Sequence, residues 1–312
     1  MLNFNGKNKI NKFITDFITA NKLDDLKYEL KIQNNKYHII IEINKTKEIK
    51  RKQLSENLKK SLENNFPKIN FYILFTEHNS KKKPKIILIC SAKGGVGKST
   101  ICYNLALANQ LKNKKTAIID ADIYGPSIHH LSGIKQKEPQ IIDNKMVPIK
   151  KNGLQINSMG FLIAKESALI WRSPMIIKAL NNLIENTKWE NIEYIFIDMP
   201  PGTGDVYLSL LKNFPSANAI IISQPHQLSL IDTVRTIDLM HKLNIKILGL
   251  IENMNFLPEK DITNKFCKTN KIDLLGKISF DPNIANLSDN SESFLNLENE
   301  NSKMIKKIVN IF

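Results

Sequence analysis

From Lys85 onward the chain alternates short apolar runs with longer amphipathic stretches. The runs Ile86–Cys90, Thr116–Asp120, Tyr194–Asp198, Ala219–Ser223 and Lys246–Glu252 are continuous rather than alternating. That is the pattern of strands buried on both faces. Helical periodicity falls between them, over Ile101–Leu111, Pro174–Glu185 and Leu228–Leu243. Strand–helix alternation predicts an α/β fold with a doubly wound, mostly parallel sheet. In such sheets ligands sit at the carboxyl ends of the strands.

Residues 1–80 follow a different pattern. A helix is predicted over Ile10–Asn21. Tyr28–Ile32 and Tyr37–Ile43 alternate like strands around Gln33-Asn34-Asn35, which reads as a hairpin. Lys47–Phe66 places Leu54, Leu58, Leu62 and Phe66 on one helical stripe. Asn70–Phe75 is a third strand. This predicts a small α+β domain over residues 1–80, a linker at 81–84 in a polar stretch ending at Pro84, and a second domain over 85–312.

Composition narrows the class. A chain of 312 residues has room for two domains, and 42% hydrophobic with 24% charged residues is globular. No apolar run has the length of a membrane span, and the start carries no apolar leader, so cytoplasm is the expected compartment. The net charge is +15. Residues 1–83 hold 18 Lys and Arg against 9 Asp and Glu, and residues 84–312 hold 27 against 21. The surplus reads either as attraction to anionic partners or as the Lys-, Asn- and Ile-rich usage of the whole chain. Arginine occurs only at Arg51, Arg172 and Arg235. The planar fork that specific nucleic-acid readers favour is therefore scarce, and nucleic acid is not an expected partner. A membrane surface is not expected either, because the basic 47–66 helix has a sheet to cover. Three cysteines, Cys90, Cys102 and Cys267, without a Cys-x-x-Cys exclude a disulfide scaffold. His129 and His130 are adjacent, so they point to different helix faces and predict no zinc site.

The densest chemistry lies at Ser91-Ala92-Lys93-Gly94-Gly95-Val96-Gly97-Lys98-Ser99-Thr100, between a strand and a helix. A Gly-rich loop there cradles phosphates with its backbone N–H groups, and the helix N-terminus adds positive potential. Residues Ala92 to Thr100 are the candidate nucleotide-binding residues. Lys98 can reach the outer phosphates and Ser99 can ligate magnesium. Ala92 stands where a plain P-loop has Gly, a position expected to be left-handed and less comfortable for Ala. Asp120-Ala121-Asp122 follows the second strand, where acids face nucleotide and magnesium. Asp120 reads as support for the magnesium shell or as a strand-end turn former. Asp198 ends another buried strand before Met199-Pro200-Pro201-Gly202, so it can hold a magnesium-bound water. Gly202 can bring its N–H near a γ-phosphate. Asn253 has an amide that can pair with adenine or simply end a strand.

The second lysine of the loop, Lys93, makes it resemble the deviant P-loop of ParA/MinD-type ATPases. Asp120-Ala-Asp-Ile-Tyr-Gly-Pro-Ser127, Ser158-Met-Gly-Phe-Leu162, Trp171-Arg-Ser-Pro-Met175, Asp198-Met-Pro-Pro-Gly-Thr-Gly-Asp205 and Glu252-Asn-Met254 narrow the resemblance to the Mrp/ApbC family. It covers about residues 84–290, and the N-terminal domain is similar to a degenerate iron–sulfur assembly domain. The resemblance implies a homodimeric, slow ATPase that carries iron–sulfur clusters to apoproteins or works with assembly factors. It implies catalytic roles for Lys93, acting across the dimer, for Lys98, and for Asp122, orienting water. One part departs. Where many members have Cys-x-x-Cys after Glu-Asn-Met, this chain has Asn255 to Thr263 without cysteine. Cys267 alone is left as a candidate cluster ligand, with Cys90 and Cys102 read as core residues. Loss of those thiolates keeps a second reading open, a nucleotide-switched MinD/ParA-like scaffold that binds no cluster.

Overall fold

The computed structural model describes residues 4–21, 23, 26–33, 36–44, 51–78, 83–135, 139–162, 173–256 and 261–312. Trp171, Arg172 and the stretch 257–260 of the cysteine-free loop lie outside them. The chain divides into two compact units, Met1–Lys82 and Lys83–Phe312.

In the first unit α1 (Phe4–Ala20) precedes β1 (Lys27–Gln33) and β2 (Lys36–Asn44), then α2 (Arg51–Asn65) and β3 (Phe71–His78). β1 pairs antiparallel with β2, and β2 parallel with β3. Ile10, Ile14 and Ile18 of α1 recur at helical spacing, as do Leu58 and Leu62 of α2. They meet Leu30, Tyr37, Ile39, Ile41 and Phe71 of the sheet in one buried cluster. The hairpin and third strand fall where the alternation put them. Helix α1 starts earlier than Ile10 because its first turns, Asn5-Gly6-Lys7-Asn8, carry no apolar period to read.

The second unit opens with β4 (Lys85–Cys90), α3 (Lys98–Leu111), β5 (Thr116–Asp120) and the short α4 (Ile128–Leu131). A small excursion follows: β6 (Ile141–Ile142), β7 (Lys145–Met146), β8 (Ile149–Lys151) and β9 (Leu154–Ser158). Then come α5 (Ser173–Glu185), β10 (Tyr194–Asp198), α6 (Asp205–Lys212), β11 (Asn218–Ser223), α7 (Gln227–Lys242) and β12 (Lys246–Asn255). The unit closes with α8 (Ile262–Thr269), β13 (Leu274–Ser279), α9 (Pro282–Asp289) and α10 (Glu300–Ile308). Eight strands form one sheet in the order β13-β12-β11-β4-β10-β5-β9-β8. All pairings are parallel except β8 with β9.

Two buried layers explain the continuous apolar runs. Ile87 and Ile89 of β4 face Ile101 and Leu105 of α3 and Ile305 of α10. Leu88 and Cys90, one residue out of phase, face Leu180 of α5, Leu211 of α6 and Met240 of α7. Period two on a sheet covered on both sides leaves no polar position. Topology then places the loops after β4, β5, β10 and β12 together at the carboxyl edge.

Candidate functional site

β4 delivers the chain into the Gly-rich loop, and α3 begins at Lys98. Left-handed backbone occurs at Gly95 (φ 77°) and Gly97 (φ 79°). Ala92 is not left-handed, so the expected discomfort at that position does not arise. A Cβ on Gly97 would lie 2.3 Å from Asn253 Nδ2. That same nitrogen donates to the Val96 carbonyl at 2.8 Å, so the end of β12 braces the loop from outside. Gly97 supplies no side-chain cap to α3. The first N–H groups of the helix therefore have no side-chain acceptor at the cap, the arrangement that binds phosphate. A cleft of about 510 Å³ adjoins them, lined by Lys93, Lys98, Ser99, Thr100, Asp122 and Tyr124 among others.

Under the loop three acids and one lysine are buried together. Lys98 Nζ lies 2.6 Å from Asp198 Oδ1 and 3.4 Å from Asp122 Oδ2. Burial alone would push the Lys98 ammonium down, but Asp198 and then Asp122 more than reverse this and hold it raised. Asp120 is pushed up to about 8, first by burial and then by the charge of Asp198, against the Ser158 hydroxyl and Lys98. Both Asp120 oxygens are engaged. They accept from the Asp122 N–H at 3.2 Å, the Ile128 N–H at 3.1 Å and Ser158 Oγ at 2.9 Å. Asp120 thus ties the 121–128 turn to β9. The fully buried Asp198 Oδ2 has no hydrogen-bond partner. With the Ser99 hydroxyl it offers the hard oxygen donors that magnesium prefers. Among the described residues no group of three or more His, Cys, Asp or Glu could hold a metal. Water and phosphate oxygens would complete the shell, and the residues fit the ion on those terms.

Two expected contacts are occupied differently. The Gly202 N–H, at φ 90°, donates to the Ser91 carbonyl at 3.1 Å rather than facing the cleft. Lys93 Nζ sits 3.0 Å from Asp232 Oδ2 on α7 of its own chain. Asp232 carries no motif, and only the fold brings it to the loop. A second, more apolar pocket of about 270 Å³ lies beyond Gly97 and Thr100, between Asn253, Met254, Phe280 and Asp281. The sequence pointed to Asn253 alone; the β13–α9 corner became part of the site through β12–β13 pairing.

The cysteines are all buried. Cys267, on α8, is 2% exposed and packs with Ile221, Ile237 and Leu250. Burial, reinforced by Glu252, pushes its thiol up to about 11. Helical phase turns the residue inward from α8, so the one cysteine expected near the site is a core side chain here. No helix among the described residues is long and apolar enough to cross a membrane.

A parallel sheet with a two-lysine phosphate loop at its carboxyl edge defines a ParA-type P-loop NTPase. The solved structures agree. A nucleotide-binding protein from Archaeoglobus fulgidus, determined with ADP, superposes with TM-score 0.57 at 29% identity, over 67% of this chain and 87% of that one. The cell-division ATPase MinD of Pyrococcus furiosus does so with TM-score 0.56 at 21% identity, over 73% of this chain and 97% of its own. Within that class residues 82–312 match the model described as the NUBPL iron-transfer P-loop NTPase, and this chain belongs to that family. A relative from Rickettsia typhi named "iron-sulfur cluster carrier protein" is 39% identical over 91% of this chain and 85% of its own length. The Mrp/ApbC resemblance of the motifs is borne out.

Proposed function

We propose that this chain is a cytoplasmic, ATP-driven iron–sulfur cluster carrier that works as a homodimer and delivers its cargo to apoproteins. The observation that carries the reading is the buried Lys98, clamped by Asp198 and Asp122 at the mouth of a phosphate cradle, in a chain of the iron-transfer family. Bound magnesium would neutralise charge on the outer phosphates, with Ser99 and Asp198 as its protein-side donors and Asp120 behind them. Phosphate is a stronger partner for Lys98 than a carboxylate 3.4 Å away. Nucleotide entry would draw Lys98 off Asp122 and free that carboxylate to orient water, a positioning role. Gly202 would exchange Ser91 for phosphate, moving the Pro200-Pro201 loop as a stiff unit. Asn253 and the Phe280 wall would hold the base. Lys93 would leave Asp232 for the partner's nucleotide. Turnover coupled to such rearrangement is slow.

The second reading, a nucleotide-switched scaffold without cargo of its own, is favoured by the burial of all three cysteines. ATP hydrolysis and light scattering test the part that the two readings share. Lys98→Ala and Lys93→Ala should each lower hydrolysis by about 100-fold or more, the scale of losing a transition-state cation. ATP, and not ADP, should shift the wild type to dimer. Hydrolysis that survives both substitutions would refute both readings.

A further inference from the structure

The first unit has a sheet face that its helices do not cover. Helices α1 and α2 both bury the face that carries Tyr37, Ile39 and Ile41. Alternation sends Lys36, His38, Ile40 and Glu42 of β2 to the other side, with Tyr72 and Leu74 of β3 and Lys27, Glu29 and Lys31 of β1. A one-sided sheet normally presents polar residues to water. Here two adjacent cross-strand pairs do not. His38 is opposite Tyr72 and Ile40 is opposite Leu74. The His38 and Tyr72 rings stack at 5.2 Å and 21°, Tyr72 is 42% exposed, and Leu74 is 50% exposed. Lys36 Nζ lies 5.6 Å from the Tyr72 ring centre. Lys27 and Lys31 border the patch on the β1 side, with Glu29 paired to Lys31 at 3.2 Å.

We infer that this open face docks an acidic protein segment that presents apolar side chains between carboxylates. An apolar patch rimmed by charge marks an interaction surface. Its partner should carry the opposite charge at the rim. On this face Lys27, Lys31 and Lys36 stand against Glu29 and Glu42, a small positive surplus in a unit whose residues 1–82 hold 17 Lys and Arg against 9 Asp and Glu. Single-stranded nucleic acid fits less well. Stacking of the two rings on one another takes one face of each from any base. Arg51 is the only arginine in the unit, so the planar fork that nucleic-acid readers favour is scarce there. A lipid surface fits less well too, because the patch lies on strands and not on an amphipathic helix. In the carrier reading such a segment would belong to a client protein, but the surface stands on the first unit alone.

The test uses the full chain and a fluorescein-labelled twelve-residue peptide with Leu and Phe set between Asp and Glu. Anisotropy should give a saturable Kd of about 10–100 μM, the range of a small transient contact. Tyr72→Ser with Leu74→Ser should weaken it by about ten-fold, as should a peptide with Lys for every acid. Circular-dichroism melting and ATP hydrolysis should match the wild type, which separates loss of the surface from loss of the fold or of the ATPase. Leu74→Glu, which removes the apolar side chain and repels an acidic peptide, provides a second variant if the double change melts early. No saturation at millimolar peptide, or equal binding by the variants, would overturn the inference. So would displacement of the peptide, at equal salt, by oligouridine or by phosphatidylserine vesicles.

Discussion

Lys98 is the one cation among three buried carboxylates, 6% exposed itself, with Asp120 and Asp198 fully buried. Removing it should strip Asp198 and Asp122 of their counter-charge. Lys98→Ala should cost about 3 kcal/mol of stability at pH 8, the scale of a broken buried ion pair. A carboxyl raised in the folded state contributes stability at low pH that is lost as pH climbs through its folded value. Asp120, near 8 even with Lys98 present, already behaves so. The deficit of Lys98→Ala relative to wild type, read as the difference in melting temperature, should therefore shrink from pH 8 toward pH 5. A deficit independent of pH would show that these carboxylates do not feel the lysine. The thiols give a second test at this scale. Burial pushes Cys90 up to about 12 and Cys267 up to about 11. Few thiolates then exist at pH 8, and native protein should resist a thiol reagent that labels all three in denaturant. Rapid native labelling of Cys267 would place it outside the core. The sequence pointed to the Gly-rich loop from Ala92 to Thr100, because strand, glycines and lysines are adjacent in it. It could not mark Asp232, which carries no motif, or the Asp120–Ser158 bond, whose two motifs lie 38 residues apart with nothing in either to pair them.

At the scale of elements, the loop, α3 and the end of β12 act as one part. Gly97 is both left-handed and pressed against Asn253. Gly97→Ala should weaken ATP binding by about ten-fold or more, since strain of roughly 1–3 kcal/mol falls on the loop; calorimetry with unhydrolysable ATP reads it. Binding equal to wild type would mean that the loop reshapes freely. The five runs read as strands are all strands, because burial on both faces writes itself as unbroken apolar sequence. β9 escaped that reading. Its Gln155, Asn157 and Ser158 are buried but polar. They are satisfied by the Glu190 backbone at 2.9 Å, Thr187 Oγ1 at 2.8 Å and Asp120. Hydrogen bonds permit such residues inside, and they break the apolar pattern that marks a strand. β13 was missed for another reason: Gly276 and Lys277 interrupt its run, and it lies at the sheet edge.

For the whole molecule, the salt bridge between Lys93 and Asp232 matters more for conformation than for stability. Its side chains are 43% and 31% exposed, so it contributes at most about 1 kcal/mol. In the proposed dimer that is enough to bias whether Lys93 stays on Asp232 or reaches the partner's nucleotide. Asp232→Asn should raise the ATP-dependent dimer fraction by about two- to five-fold at sub-saturating protein, the population shift that 0.4–1 kcal/mol gives; sedimentation velocity reads it. An unchanged or lower fraction would mean that Asp232 does not restrain Lys93. The central claim, that ATP drives iron–sulfur cargo, is tested most directly by delivery. The protein would be reconstituted anaerobically with iron and sulfide, mixed with an apo iron–sulfur enzyme, and followed by recovery of that enzyme's activity with and without ATP. Wild type and Cys267→Ala should both activate the acceptor, faster with ATP, and Lys98→Ala should lose the ATP effect. Undiminished ATP hydrolysis with no bound iron and no activation would contradict the carrier and leave the nucleotide-switched scaffold.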